Sequence, residues 1–280
     1  MAERGEFWVK LWGVRGTVPC PGPATRRFGG NTACVEVHCG ASRLILDAGT
    51  GLRVLGNAMA AAAGQHRNAH ILLTHSHLDH VLGLPFFKPA YQAGNCFELW
   101  AGHLKRSGHT LQEVLRRLLE SPYFPVPLDI MHACIAFHDF EAGEPLEPFP
   151  GVRVRTAPLV HPGGATGYRI DYAGRSVCYV TDTEHPERGH DPNVLALIEG
   201  AQIVIYDATY TDAEMARFRG WGHSTWEEGL RLCELAGAAR LVTFHHDPER
   251  DDTQLDLIDA ALAARRPGSL VGREGMVLEP

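Results

Sequence analysis

The sequence has no long apolar run, no excess of positive charge and no paired-cysteine motif, and each absence removes a class of protein. No stretch approaches a membrane span, and the opening MAERGEFWVKLWGVRG scatters charges among short apolar pieces where a secretory leader carries an unbroken one. A cytoplasmic protein without a membrane partner is therefore expected. The net charge is −7, with 26 Lys and Arg against 33 Asp and Glu. That counts against a general electrostatic grip on tRNA, duplex DNA or an anionic membrane, so an anionic substrate needs a local positive site. Seven cysteines, odd in number and dispersed, include no C-x-x-C pair, which fits reduced thiols better than a disulfide framework or a zinc knuckle.

What remains is an ordinary globular composition, 45% hydrophobic and 21% charged over 280 residues. Such a chain can bury a stable core without disulfides. Size forces no oligomer and leaves a homodimer open. No linker, low-complexity tract or short repeat divides the chain, so residues 1–280 are read as one domain. Histidine is the outlier, with 16 residues, several of them clustered. That abundance points to metal or acid–base chemistry.

Alternating or short apolar runs predict strands at 7–13, 33–39, 43–49 and 69–74, with a Pro/Gly-rich loop between the first two and a helix over 52–64. A strand at 98–102 precedes a helix over 110–120 with Thr110 as its cap. Four strands then follow between 134 and 181. Past 190, helices over 193–200, 224–237 (capped by Ser224) and 252–268 alternate with strands at 201–207 and 239–246. Both halves give several strands and then alternating helix and strand. That order suggests an α/β fold in which two mixed sheets face each other with helices outside, a four-layer αββα sandwich.

The string THSHLDH (74–80) follows an apolar strand. A strand-end loop lets His75 and His77 project together, while Asp79 and His80, at the start of the next helix, can face a second point. One ion cannot easily use all four. Zinc takes three or four protein ligands, so further ligands are expected at other strand ends. Three places qualify: His161 in LVHPGG, Asp182 in YVTDTEH, whose carboxylate can bridge two ions, and one of His245 and His246 in LVTFHHDP. Adjacent strand residues face opposite sides, so at most one of that last pair reaches the site.

These residues resemble those of the metallo-β-lactamase superfamily across essentially the whole chain. Within it, YDATY (206–210), GHST (222–225) and LVTFHHDP (241–248) resemble elements of the branch containing ribonuclease Z and small-substrate phosphodiesterases, with Asp207 where ribonuclease Z has glutamate. The opener WGVRGTVPCPGPATRRFGGNTACVEV is similar to that of bacterial proteins related to class II cyclic-nucleotide phosphodiesterases.

The resemblance implies a first divalent ion on His75, His77 and His161, a second on Asp79, His80 and His245, and Asp182 between them. Zinc is the expected metal, manganese the alternative. Two such ions about 3.5–4 Å apart share a hydroxide and clamp a phosphoryl oxygen. Their charge would attract a phosphodiester monoanion despite the acidic surface. Asp79 counts among the catalytic residues for its place there. His223 becomes the candidate general acid, and Asp207 the group that orients it or keeps it protonated. Asp47 resembles a structural aspartate behind the ligand loop.

Arg26, Arg27 and Asn31 in the Pro/Gly loop are candidates to contact phosphate or base, and Phe124 to stack on a base. The 20 residues between His161 and Asp182 leave no room for the tRNA-gripping arm of bacterial ribonuclease Z. A cyclic nucleotide, dinucleotide or related small diester is thus expected rather than a long nucleic acid. Two other readings compete: a thioester, lactone or β-lactam hydrolase on the same fold, which needs no acid at His223, and a non-catalytic metal-stabilised module binding a nucleotide or protein.

Overall fold

Along β1 (Phe7–Gly13) the odd-numbered residues are buried and the even ones partly exposed, the period-2 signature of a strand with one face in a core. The computed structural model describes residues 6–62 and 67–280. β1, β2 (Cys34–Cys39) and β3 (Ser42–Leu46) form an antiparallel meander. Helix α1 (Gly51–Ala61) then crosses over to β4 (Ala69–Leu73), which runs parallel to β3. The short α2 (Leu78–Val81), β5 (Cys96–Ala101), α3 (Leu111–Leu118) and β6 (Cys134–Asp139) extend the parallel part.

The second half repeats the plan. β7 (Leu146–Phe149), β8 (Val152–Leu159), β9 (Ala165–Tyr172) and β10 (Arg175–Val180) are antiparallel neighbours. They are followed by α4 (Pro192–Ile198), β11 (Ile203–Asp207), α5 (Asp212–Met215), α6 (Trp226–Leu235), β12 (Arg240–Phe244), α7 (Asp252–Arg265) and β13 (Leu270–Val271). β10 to β13 pair in parallel. The last strand, β14 (Val277–Leu278), returns to the first sheet beside β1.

Two seven-stranded mixed sheets result, ordered β14-β1-β2-β3-β4-β5-β6 and β13-β12-β11-β10-β9-β8-β7. Phe7, Val9, Leu11, Val35 and Leu46 of the first sheet pack between the layers against Val154, Tyr168, Tyr179, Ile205 and Phe244 of the second. The outer face of the first sheet packs against α1 and α3 through Leu52, Leu55, Leu111 and Leu115. The outer face of the second packs against α4, α6 and α7 through Val194, Leu230, Leu255 and Leu262. This is the expected four-layer αββα sandwich. Strands covered on both faces read as unbroken apolar runs, as in IVIYD of β11, whose five residues are all buried.

Some boundaries differ from the sequence reading. The strand expected over 43–49 stops at Leu46 because Asp47 takes a left-handed φ of 61°. Of the helix expected over 52–64, residues 63 and 64 lie outside the described residues. Thr110 caps α3 in a capping box, but the cap of α6 is Thr225. The Ser224 hydroxyl is taken instead by His185 Nδ1 (2.8 Å) and the Tyr206 hydroxyl (2.9 Å). No helix among the described residues is long and apolar enough to cross a membrane.

Candidate metal centre

The segments that follow β4, β10, β11 and β12 meet at one edge of the sandwich. Five described non-glycine residues have positive φ: Thr17, Asp47, Ala173, Asp182 and His245. All but Ala173 belong to this place. Left-handed backbone costs an L-residue about 1–2 kcal/mol, and such strain concentrates where function requires a particular side-chain direction. Asp47 and His245 each turn the chain directly after β3 and β12, and Asp182 does so two residues after β10. Thr17 brings its backbone N–H to Asp79 Oδ2 at 2.7 Å.

The seven predicted ligands converge in two sets. The donor atoms of His75, His77 and His161 lie within 4.8 Å of one another, as do those of Asp79, His80, Asp182 and His245. Asp182 touches both sets. Its Oδ1 is 3.8 Å from His75 Nε2 and from His161 Nε2, and 3.3 Å from His245 Nε2, while its Oδ2 is 3.3 Å from His80 Nε2. Asp79 Oδ2 is 3.2 Å from both His80 Nε2 and His245 Nε2.

A test of whether this set fits a cation comes from the far side of each ring. His80 Nδ1 donates to Asp47 Oδ2 (2.8 Å) and His161 Nδ1 to the Gly222 carbonyl (2.8 Å). The Thr74 hydroxyl, spent on Asp47, can only accept from His75 Nδ1 (3.0 Å). Likewise the Thr209 hydroxyl, directed at Asp207 Oδ1 (2.8 Å), accepts from His245 Nδ1 (3.0 Å).

In the neutral form these four rings carry the proton on Nδ1 and aim the Nε2 lone pair at the same carboxylates. His77 Nδ1 faces His161 Nε2 at 3.1 Å, and buried His75 Nε2 has no hydrogen-bond partner. Lone pairs and carboxylates crowded at one point are destabilising unless a cation lies among them. The nitrogen and oxygen donors suit zinc or a similar divalent ion. Without one, His80 would take up a proton: burial opposes its charge, yet Asp182, Asp79 and Asp47 hold its pKa well above the usual value.

Asp47 anchors this arrangement from behind. It accepts the Thr74 backbone N–H (2.7 Å), the His80 Nδ1–H, and the Tyr179 hydroxyl (2.8 Å) from the opposite sheet. Two glycines permit close approach: a Cβ on Gly16 would lie 2.2 Å from the His245 ring, and one on Gly222, at φ +82°, would lie 2.3 Å from His161 Nδ1.

Beside the cluster, His223 Nδ1 is 3.0 Å from Asp207 Oδ2 and 3.8 Å from Asp182 Oδ1. Burial alone would lower the His223 pKa. The Asp207 carboxylate overrides it by charge and hydrogen bond, and the pKa is pushed up to about 9. Asp207, though fully buried, is held below the usual carboxylate range by the facing His223. Because Nδ1 is engaged by Asp207, the free N–H of the His223 imidazolium is Nε2–H.

His77, Asp79, His161, Asp182 and His223 line an open cleft of ≈ 550 Å³. The sequence reading did not find its other walls. Tyr210, Phe218 and Trp221 form one, and Asp247 and Glu249 stand at the rim. The only signal for the aromatic wall is that Tyr210 ends YDATY and that Phe218 and Trp221 lie between it and GHST.

The proposed substrate contacts are placed elsewhere, none of them in this cleft. Arg27 is paired in two hydrogen bonds with Asp256 on α7 (2.9 and 2.5 Å), and Asn31 is held by Glu274 through its backbone N–H (2.6 Å) and Nδ2 (3.0 Å). Phe124 packs edge-on to Phe86 beside the outer core of the first sheet, and Arg26 is an exposed residue following a 3₁₀ turn. His246 turns away, with Nε2 donating to the Gly272 carbonyl (2.8 Å).

Residues 42–246, about three quarters of the chain, match the model of the beta-lactamase superfamily domain. The chain belongs to the metallo-β-lactamase superfamily. Among relatives, it is 25% identical to the ribonuclease Z of Bradyrhizobium sp. (strain ORS 278) over 265 residues, covering 78% of this chain and 85% of that protein. The fold matches that of the metallo-beta-lactamase fold protein YhfI from Bacillus subtilis, with a TM-score of 0.71, 18% identity, and coverage of 98% of this chain and 99% of that one. A diphosphatase from the PhnP family gives a TM-score of 0.71 at 19% identity, covering 98% of each chain.

Proposed function

We propose that the protein is a dinuclear metal-dependent phosphodiesterase acting on a small nucleotide-type diester, working as one domain in the cytoplasm. The observation that carries this reading is the His223–Asp207 pair (3.0 Å) set directly beside the ligand cluster. A thioester expels a thiolate that leaves without a proton, whereas a phosphodiester expels an alkoxide that needs one from a buried imidazolium; lactones and β-lactams also expel a basic group and are told apart from diesters by turnover.

His75, His77 and His161 would hold one divalent ion, zinc or manganese, and Asp79, His80 and His245 the other, with Asp182 shared. Bound there, the ions would supply Lewis acidity to the phosphoryl oxygens and acidify an attacking water. The chain's own residues do the rest. Asp47, Gly222, Thr74 and Thr209 fix four imidazole tautomers, so each ring presents a lone pair without reorganisation. Thr17 N–H holds Asp79 in place. His223 carries a proton on Nε2 for the departing oxygen, and Asp207 keeps it there.

The cleft's charge favours a small substrate. Among the described residues that line it, none is Lys or Arg, and Asp247 and Glu249 add negative charge at the rim. A run of phosphates would find no countercharge beyond the ions.

The test compares leaving groups. Hydrolysis of bis(p-nitrophenyl) phosphate should require metal and be abolished by chelation. His223→Ala should lose about 10²–10⁴-fold on a cyclic nucleotide, whose leaving group is an alkoxide, and far less on the p-nitrophenyl ester, whose leaving group needs no acid. Turnover of thioesters, lactones or β-lactams in place of diesters would select the alternative hydrolase.

A further inference from the structure

The cleft carries an aromatic wall that metal-dependent hydrolysis does not require. Tyr210 and Phe218 stack with ring centroids 4.3 Å apart and planes 3° from parallel. Trp221 meets Phe218 edge-on at 5.5 Å. All three line the cleft that holds His77, Asp79 and His223. Tyr210 is nearly buried, but Trp221 leaves 61% of its surface exposed.

This exposure is built into the loop. Glu184, two residues past Asp182, accepts the backbone N–H groups on either side of Trp221, from Gly220 (2.8 Å) and Gly222 (3.0 Å). Arg219 lies 3.7 Å from the same carboxylate. The Gly222 carbonyl is the group that orients His161, and His223 follows directly. The segment that presents the indole is therefore the one that sets a candidate ligand and the candidate acid. An aromatic group held on Trp221 is tied in place relative to the reacting phosphate.

We propose that Tyr210, Phe218 and Trp221 form a stacking subsite for the base of a nucleotide diester, and that stacking, rather than charge, selects the substrate. The inference rests on the phosphodiesterase reading and deepens it. Every nucleobase offers a π-face, and among the described residues lining the cleft there is no Lys or Arg to hold a second phosphate. Recognition falls to one base and one diester. A simple apolar substituent would gain area on the wall but not the face-to-face contact that a planar ring makes.

The experiment measures kcat/KM for two esters with one leaving group: thymidine 5′-(p-nitrophenyl phosphate) and methyl p-nitrophenyl phosphate. A stacked base is worth about 5- to 150-fold, so the native protein should prefer the thymidine ester by at least about 5-fold. Trp221→Ala should bring the ratio close to 1, and Trp221→Phe should restore part of it, because a ring returns to the wall. An equal ratio in native protein and Trp221→Ala overturns the subsite.

If neither ester is hydrolysed, the phosphodiesterase reading fails and the subsite is judged by binding. Thymidine monophosphate should saturably quench tryptophan fluorescence in the native protein and not in Trp221→Phe. The same quench in both proteins, or none in either, overturns it.

Discussion

Replacing Asp207 by Asn separates the role of charge from that of shape. Asn keeps the side chain's size and retains an oxygen for the Thr209 N–H and hydroxyl, which lie 3.1 and 2.8 Å from Asp207 Oδ1. It removes the charge facing His223 Nδ1 and presents an N–H there instead, so the ring becomes neutral with Nδ1 as acceptor. Asp207 is the largest influence raising the His223 pKa from an ordinary 6.5 to about 9. The net rise, about 2–3 pH units or about 3–4 kcal/mol of preference for the protonated ring, sets the scale of the change.

A general acid must start protonated. Activity on a cyclic nucleotide then falls as pH rises through the His223 pKa, and Asp207→Asn moves that alkaline limb to lower pH. Bound cations lower the starting value in both proteins alike, so the difference between the two kcat/KM profiles is the reading. A displacement of about 1 unit or more is expected, with little displacement on the p-nitrophenyl ester. Coincident alkaline limbs would refute the assignment of His223 as the acid held by Asp207.

Two further outcomes follow from the same geometry. Asp182→Asn removes the one carboxylate that touches both ligand sets, so metal content measured by elemental analysis should fall from two ions per chain to one or fewer while the fold persists by circular dichroism. Phe244→Ala empties a fully buried position between the sheets, against Tyr179 at 5.4 Å, and should cost about 3–5 kcal/mol in denaturant unfolding.

The layered fold is legible because its signal is local. Alternation in β1, short and mostly apolar runs in β4, β11 and β12, and amphipathic α3 each report which faces are covered. The ligand cluster is legible for a related reason: its members sit in one short string or just past apolar strands. Between His245 and His246 the strand argument could only say that one of them faces the site. A φ of +58° at His245 makes the actual choice.

The candidate substrate contacts Arg27 and Asn31 are held away from this cleft by remote partners. Arg27 meets Asp256, 229 positions away, and Asn31 meets Glu274, 243 away. Nothing local distinguishes an arginine free for phosphate from one already paired. The aromatic wall escaped notice for the opposite reason. Tyr210, Phe218 and Trp221 have no helical or strand period, and only the turn held by Glu184 brings the last of them to the cleft.

The most direct measurement of the central claim is a metal titration of diesterase activity on chelated, metal-free protein, with bis(p-nitrophenyl) phosphate as substrate and metal content determined on the same samples. No turnover is expected without metal, and activity should rise with added zinc or manganese to a plateau at two ions per chain. Protein that binds two ions per chain and still hydrolyses no diester would contradict the central claim.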